Sequence, residues 1–398
     1  MLAPRRTPVL LVALALLACR GEPTAGGANR VRERWHQAQP GHSWARPAVA
    51  GDVVYFGAGD GQVIARDAAT GAPRWAARVG LERVGLERVG GANVVVRGGV
   101  VVVSVVRHTV GLDAATGREL WRYEAPRDTG LGSSGNSGQV VATHLDADAQ
   151  TVYVPAWGAS ISALDLRTGA VRWVWQPGRT PSDTAAAGRF RSGSMGVRVG
   201  GDTVFATAWH FLVENGVRSE AWLLALDRAT GRELWRAVLP HARGGTVFGA
   251  PALAGPHVVF NTSEVRVYAV DRATGTLAWQ FRADSTRRTP SSQVEASGDA
   301  LYVDGGDSHL YALDARDGAV RWRGRFQTQT SADLLVTDRR VFLPSGGYLY
   351  VLDRASGRQV AEVTQPRTAD PLFASPAAHA GGRVFATVNG AAWSFDEP

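Results

Sequence analysis

The chain has 398 residues, of which 20% are charged and 45% hydrophobic, with 47 Gly, a single Cys and a formal net charge of +7. All 43 basic residues are Arg, scattered over turn and strand-edge positions and not gathered into a stripe with interleaved aromatics, so the composition argues against nucleic-acid binding. One Cys leaves no partner for an internal disulfide.

Residues 1–18 read as an export signal: Arg5-Arg6 is the charged start, Val9 to Ala18 the apolar stretch, and Leu16-Leu17-Ala18-Cys19 has lipobox form. Ten apolar residues are too few to span a bilayer as a helix. Cys19, the only cysteine, is therefore the expected lipidation site, and removal of Arg5 and Arg6 takes the formal charge from +7 to +5. Residues 19–29 form a flexible, Gly-rich tether, and acylation with more than one chain is enough for stable anchoring. Position 20 is Arg and not Asp, so in a host with two membranes the expected address is the outer membrane, with the body in the periplasm.

Residues 30–398 are expected to form one repeat domain. Val31 to Trp35 is an orphan strand ending in Trp. Val53-Val54-Tyr55-Phe56 predicts a strand, Gly57 to Gly61 a turn and Val63 to Arg66 a second strand, followed by Asp67-Ala-Ala-Thr-Gly71 and a strand ending in Trp75. An Asp and a Gly four residues on suit a tight turn, the Asp accepting backbone N–H bonds and the Gly tolerating φ > 0. The phrase recurs at Asp113–Trp121, Asp165–Trp173, Asp227–Trp235, Asp271–Trp279 and Asp314–Trp322, and in degraded form at Asp353–Ala361. Successive intervals of 46, 52, 62, 44, 43 and 39 residues fit four short strands per unit with no long helix. Arg383 to Thr387 and Ala391 to Asp396 read as two strands of an eighth unit, with Asp396 arriving 43 residues after Asp353. The predicted fold is therefore all-β: an eight-bladed β-propeller of four-stranded blades, its ring closed by the N-terminal strand at 31–36. A seven-bladed ring with a stray half-blade is the alternative.

Candidate chemistry is sparse. Asp146 and Asp148, and Asp304 and Asp307, sit where hairpin turns are expected, and the nine His residues share no metal-ligand spacing, so no metal and no catalytic residue is expected. Trp157, Trp175, Trp209 and Trp222 fall outside the repeated Trp position and are expected to pad an enlarged sector around the third and fourth blades. The five-residue duplication within Arg78–Gly90 looks like an expansion in a tolerant loop. Segments joining one blade to the next run toward the axis on one face and are rich in Ser, Thr, Gln and Asn. Asn136, Thr246, Ser292, Gln293, Gln329 and Ser331 are the expected funnel-lining residues, with Arg189 and Arg191 also long enough to reach the mouth. Such a lining suits a peptide, a strand edge or a small polar ligand.

The seven in-register copies of Asp-x-x-Thr-Gly-x-x-x-Trp resemble the PQQ-like repeat over essentially residues 30–398. Two branches share that repeat. The quinoprotein dehydrogenases hold PQQ and Ca²⁺ in the funnel, but they are longer and carry a vicinal disulfide that a chain with only Cys19 cannot form. The other branch, non-catalytic propeller lipoproteins similar to BamB, fits the lipobox, short tether and eight blades. That resemblance implies a scaffold for envelope proteins, expected as a monomer, with a β-barrel assembly protein as partner and no cofactor. In that family a Leu-Arg pair followed by Gly/Ser on a middle-blade loop contacts the barrel protein, which implies a partner-binding loop here at Arg189, Phe190, Arg191 and Ser194. The family's second, acidic contact is missing, since the matching stretch at Gly244–Pro251 has no acid. The alternative function is a periplasmic propeller binding PQQ or another small ligand as a redox protein or sensor. Carboxylates converging on a funnel cavity would favour it, and an apolar rim with Arg would favour the scaffold.

Overall fold

The computed structural model describes residues 31–40, 45–80, 94–105, 108–125, 144–156, 160–176, 190–213, 217–240, 247, 249–262, 264–283, 292–326, 333–345, 348–363, 376–388 and 390–398. Within them every regular element is a strand, and the strands form eight four-stranded antiparallel sheets. Seven blades each run consecutively from an inner strand a to an outer strand d: 48–78, 95–124, 146–175, 190–240, 252–282, 295–325 and 335–363. In blade 8 the strands at Ala378–Ala380, Arg383–Val388 and Ala391–Asp396 receive Glu33–Ala38 as their outer member, with Glu33 opposite Phe395 and Ala38 opposite Ala391. The expected ring closure is present, and it removes a free sheet edge.

The middle strands explain the unbroken apolar runs. Val53–Gly57, Val100–Ser104 and Thr151–Pro155 are buried along their whole length because each blade is covered on both faces by its neighbours. Outer strands such as Pro73–Arg78 bury little beyond the Trp side of the pleat.

The repeat phrase builds the turn between strands c and d and then locks the next blade. Asp67 Oδ1 accepts from the Thr70 N–H and hydroxyl, both at 2.9 Å, while the Gly71 N–H reaches the Asp67 carbonyl at 2.8 Å and Gly71 takes φ +74°. The Trp of each blade then lies on the turn Gly of the following one. A Cβ on Gly169 would fall 2.7 Å from the Trp121 ring, and the indole donates to the Leu166 carbonyl at 2.9 Å. The same pairing joins Trp35 to Gly71, Trp75 to Gly117, Trp173 to Gly231, Trp235 to Gly275, Trp279 to Gly318 and Trp322 to Gly357. Between blades 7 and 8 Ala361 stands where the Trp would be. That junction packs Phe342 against Phe395 and ties Glu397 to the Thr337 hydroxyl at 2.5 Å and to His379 at 3.0 Å.

Blade 4 departs from the others. Its strands Phe190–Gly200, Thr203–Val213 and Val217–Asp227 are each eleven residues long. The loop expected at Phe190, Arg191 and Ser194 is instead the start of the inner strand: Phe190 pairs with Leu212, Arg191 with Phe211 and Ser194 with Ala208. A long hairpin partner extends the ladder past the length seen in other blades and takes those residues into it. The padding expected of the extra tryptophans holds for Trp175 and Trp222, both buried in the core between blades 3 and 4 with Arg236 over their rings at 5.7 and 4.5 Å. Trp157 lies outside the described residues.

Candidate functional site

The inner strands face the axis, and in four blades the residue two positions before the inner strand reaches residues of other blades there. In blades 1, 3, 6 and 7 those positions hold Arg46, His144, Gln293 and Asp333. They meet. His144 Nε2 lies 2.6 Å from Asp333 Oδ2, a buried contact between blades on opposite sides of the ring. Arg46 Nη2 reaches Glu295 Oε1 at 2.5 Å and the Leu334 carbonyl at 2.7 Å, linking blade 1 to blades 6 and 7. Gln293 joins blades 5 and 7: its backbone N–H donates to Asp333 Oδ1 at 3.0 Å, its side-chain Nε2 donates to Glu295 at 3.0 Å, and its side-chain Oε1 accepts from the Ala250 N–H at 2.8 Å. Gly196 approaches blade 5 so closely that a Cβ would sit 2.4 Å from the Ala250 nitrogen.

The electrostatics follow from this pairing. Burial would push the Asp333 carboxyl up, but the charge and hydrogen bond of His144, the charge of Arg46 and the Gln293 N–H outweigh it and hold the group at about 2. Burial likewise works against the Arg46 guanidinium, and Glu295 and Asp333 more than offset it, raising its pKa. Among the described residues, the axial carboxylates Glu295 and Asp333 are engaged by Arg46 and His144. Among the described residues, His144 Nδ1, Arg46 Nε and Ser292 Oγ are buried with no hydrogen-bond partner, so the cluster keeps some unused hydrogen-bonding capacity.

A family model described as outer membrane protein assembly factor BamB matches residues 27–220, 216–297 and 266–396. This chain belongs to the BamB family. The BamB of Burkholderia pseudomallei strain K96243 is 22% identical over 360 residues, covering 88% of this chain and 83% of that protein. The crystal structure of BamB from Moraxella catarrhalis superposes with a TM-score of 0.57 at 22% identity, covering 77% of this chain and 82% of that one, a likeness of fold. The quinohemoprotein alcohol dehydrogenase ADH IIB of Pseudomonas putida is 27% identical over 301 residues, but they cover 66% of this chain and only 39% of the enzyme.

In this BamB-family propeller two of the expected funnel residues can be followed. Gln293 belongs to the axial cluster and the Ser292 carbonyl accepts from the Asn261 side chain at 2.8 Å; both residues are 1% exposed, so Gln293 braces the blades from inside. Asn136, Thr246, Gln329 and Ser331 lie outside the described residues, as do Arg189 and Cys19. Phe190, Arg191 and Ser194 are placed by their backbone only, on the inner strand of blade 4. The carboxylates that reach the axis, Glu295 and Asp333, come paired with Arg46 and His144, so the arrangement is neither an acidic cavity nor an apolar rim. Among the described residues no group of three or more His, Cys, Asp or Glu is arranged to hold a metal ion. Asp148 and Asp307 serve their hairpins, each also accepting a Tyr hydroxyl, while Asp146 reaches across to the Val199 N–H of blade 4 at 2.9 Å.

Sequence reasoning missed Arg46, His144, Glu295 and Asp333. A signal was available. Arg46, His144 and Gln293 each lie 21 residues before the repeat Asp of their blade (Asp67, Asp165, Asp314), and Asp333 lies 20 before Asp353.

Proposed function

We propose that the chain is a non-catalytic, lipid-anchored scaffold of the cell envelope that binds proteins during outer-membrane protein assembly, as the name of its BamB relatives indicates for them. The observation that supports this reading is the axial cluster: among the described residues Arg46, His144, Gln293, Glu295 and Asp333 bond to one another across four blades, which favours a rigid frame presenting its outside over a funnel built around a reactant. Apolar side chains exposed on outer strands fit the same picture, with Val171 53% exposed on blade 3 and Leu234 and Val238 42% and 47% exposed on blade 4. Lipidation at Cys19, and a contact through Phe190, Arg191 and Ser194 where the blade 4 ladder is longest, are part of the proposal.

The quinohemoprotein relative supports a second reading, a propeller that takes PQQ or another small ligand. The described residues fit that cofactor poorly. A hard Ca²⁺ ion needs six or more oxygen ligands, and the two carboxylates at the axis are held by Arg46 and His144.

Affinity purification of the tagged, acylated protein from detergent-solubilised native membranes, beside an Arg191→Glu variant, tests the scaffold. Recovery of a large β-barrel assembly protein with the wild type and its loss with the variant are the expected results. Absence of any barrel protein, together with saturable PQQ uptake in the presence of Ca²⁺, would turn the assignment to the second reading.

A further inference from the structure

Because the blades repeat, one junction can be read against another. Between blades 3 and 4, Arg228, the residue after the repeat Asp, lies 3.3 Å from Asp202 and 4.0 Å from Asp148, and Asp148 also accepts the Tyr153 hydroxyl at 2.9 Å. The strand pairings put Thr151 opposite Asp165 and Ala300 opposite Asp314, Thr203 opposite Asp227 and Arg340 opposite Asp353. In this common register the junction of blades 6 and 7 has Arg354 for Arg228, Ser297 for Asp148, Arg339 for Asp202 and Tyr302 for Tyr153. Both acids that neutralise Arg228 are gone, and one of them is replaced by a cation. One Arg with two Asp becomes two Arg, and Asp338 in place of Gly201 restores a single negative charge.

Arg354 is nevertheless fixed in place. It donates from Nε to the Tyr302 hydroxyl at 2.9 Å, from Nη1 to the Asp338 carbonyl at 3.2 Å and from Nη2 to the Ser297 carbonyl at 2.8 Å. These acceptors are neutral and come from both blades, and neither Arg354 nor Arg339 has a carboxylate ion-pair partner among the described residues. Arg321 and Arg340, which share the wall, are neutralised by Asp299, Asp314 and Asp353. A held guanidinium with N–H groups to spare is the arrangement that recognises carboxylates and phosphates.

Space goes with the charge. A cleft of about 510 Å³ opens here over Ala300, Tyr302 and Trp322, with Arg339 and Arg354 at its edge. At the junction of blades 5 and 6 the register position of Ala300 is occupied by His257, whose ring lies 3.0 Å from the Ala315 carbonyl and edge-on to Trp279. The alanine leaves that volume empty beside Trp322.

We propose that this cleft binds a small anion carried on an apolar body, a carboxylate or phosphate ester whose charged group meets Arg354 and Arg339 while its body rests on Ala300 and Trp322. Isothermal titration of the mature full-length protein with phenyl phosphate and with inorganic phosphate tests it. Phenyl phosphate is expected to bind saturably and at least tenfold more tightly than inorganic phosphate. The Ser297→Asp/Arg339→Asp double variant, which restores the acids of the Arg228 junction, is expected to lose at least tenfold with an unchanged melting temperature. Ala300→His, which fills the cleft and keeps the arginines, is expected to weaken phenyl phosphate more than inorganic phosphate. Flotation of the non-acylated Cys19→Ser protein with phosphatidylglycerol vesicles, abolished by the same double variant, would mark the anion as a lipid headgroup, and its absence beside intact phenyl phosphate binding would mark a free ligand. No saturable binding of either phosphate, or equal binding by wild type and both variants, overturns the proposal.

Discussion

Trp121 lies flat on Gly169 of the next blade and at the same time donates its indole N–H to the Leu166 carbonyl at 2.9 Å. One side chain thus reads both the shape and the polarity of the neighbouring turn, and the lack of a Cβ on the glycine is what lets the ring approach. Gly169→Ala is expected to destabilise the fold by about 2–4 kcal/mol, since the added methyl meets the ring and the residue sits at φ +69°. Trp121→Phe, which keeps much of the packing and loses the hydrogen bond, should cost about 1 kcal/mol more than its lost area accounts for. Chemical denaturation of both variants checks the order.

The axial pair predicts a steep acid limb. A carboxyl held at about 2 in the folded ring and near 3.9 when unfolded contributes stability that is fully present above about pH 4. That contribution, on the order of 2 kcal/mol, is lost as pH falls from about 4 through 2. Asp333→Asn should remove this part of the pH dependence. It should also lower stability near neutrality by about 3 kcal/mol, because His144 loses its buried carboxylate partner and Arg46, still paired with Glu295, loses a second nearby negative charge. Urea unfolding across pH 2 to 7 for both proteins shows whether the curves converge in acid.

The repeat aspartates give a spectroscopic prediction. Asp165 is held at about 2 by Arg172, the Thr168 N–H and the Thr168 hydroxyl, and Asp67 at about 2 by Arg74 and Thr70. Their carboxyl carbons, followed by NMR, should titrate near 2, and the Arg172→Gln variant should move Asp165 upward without moving Asp67.

Blade 4 offers a packing test. Arg236 is held by Glu233 at 2.7 Å and lies over Trp222 and Trp175, so its planar group has partners on its edge and its face. Arg236→Lys keeps the charge and should still cost about 1 kcal/mol, because an ammonium replaces neither the stacking nor the forked hydrogen bonds. Arg236→Ala should cost more. Thermal melts of the two variants separate stacking from charge.

The sequence was legible where one residue type serves the same local purpose in every blade. Asp67, Gly71 and Trp75 act within a turn and against the next turn, so the same spacing returns with each unit, and Trp35 at the head of the ring could be matched to the strands at its tail. The axis is different. Arg46, His144, Gln293 and Asp333 occupy one ring position but share no residue type, and each finds its partner 40 to 288 residues away in another blade. Complementarity across a ring leaves no local pattern. Blade 4 differs for a related reason: Phe190-Arg191-Ser192-Gly193-Ser194 has loop composition, and only its pairing with Ala208 to Leu212 makes it a strand.

The closing strand also sets a direction. Glu33 pairs with Phe395 beside Asp396, at the end of blade 8 that corresponds to the repeat turns, while Ala38 pairs with Ala391 at the other end. The chain therefore enters the ring from the face carrying the Asp turns. A lipid anchor at Cys19, as proposed above, would hold the ring by that face, the same face on which the cleft beside Arg354 opens. The axial cluster of His144 and Asp333, which precedes the inner strands, would then lie toward the opposite face.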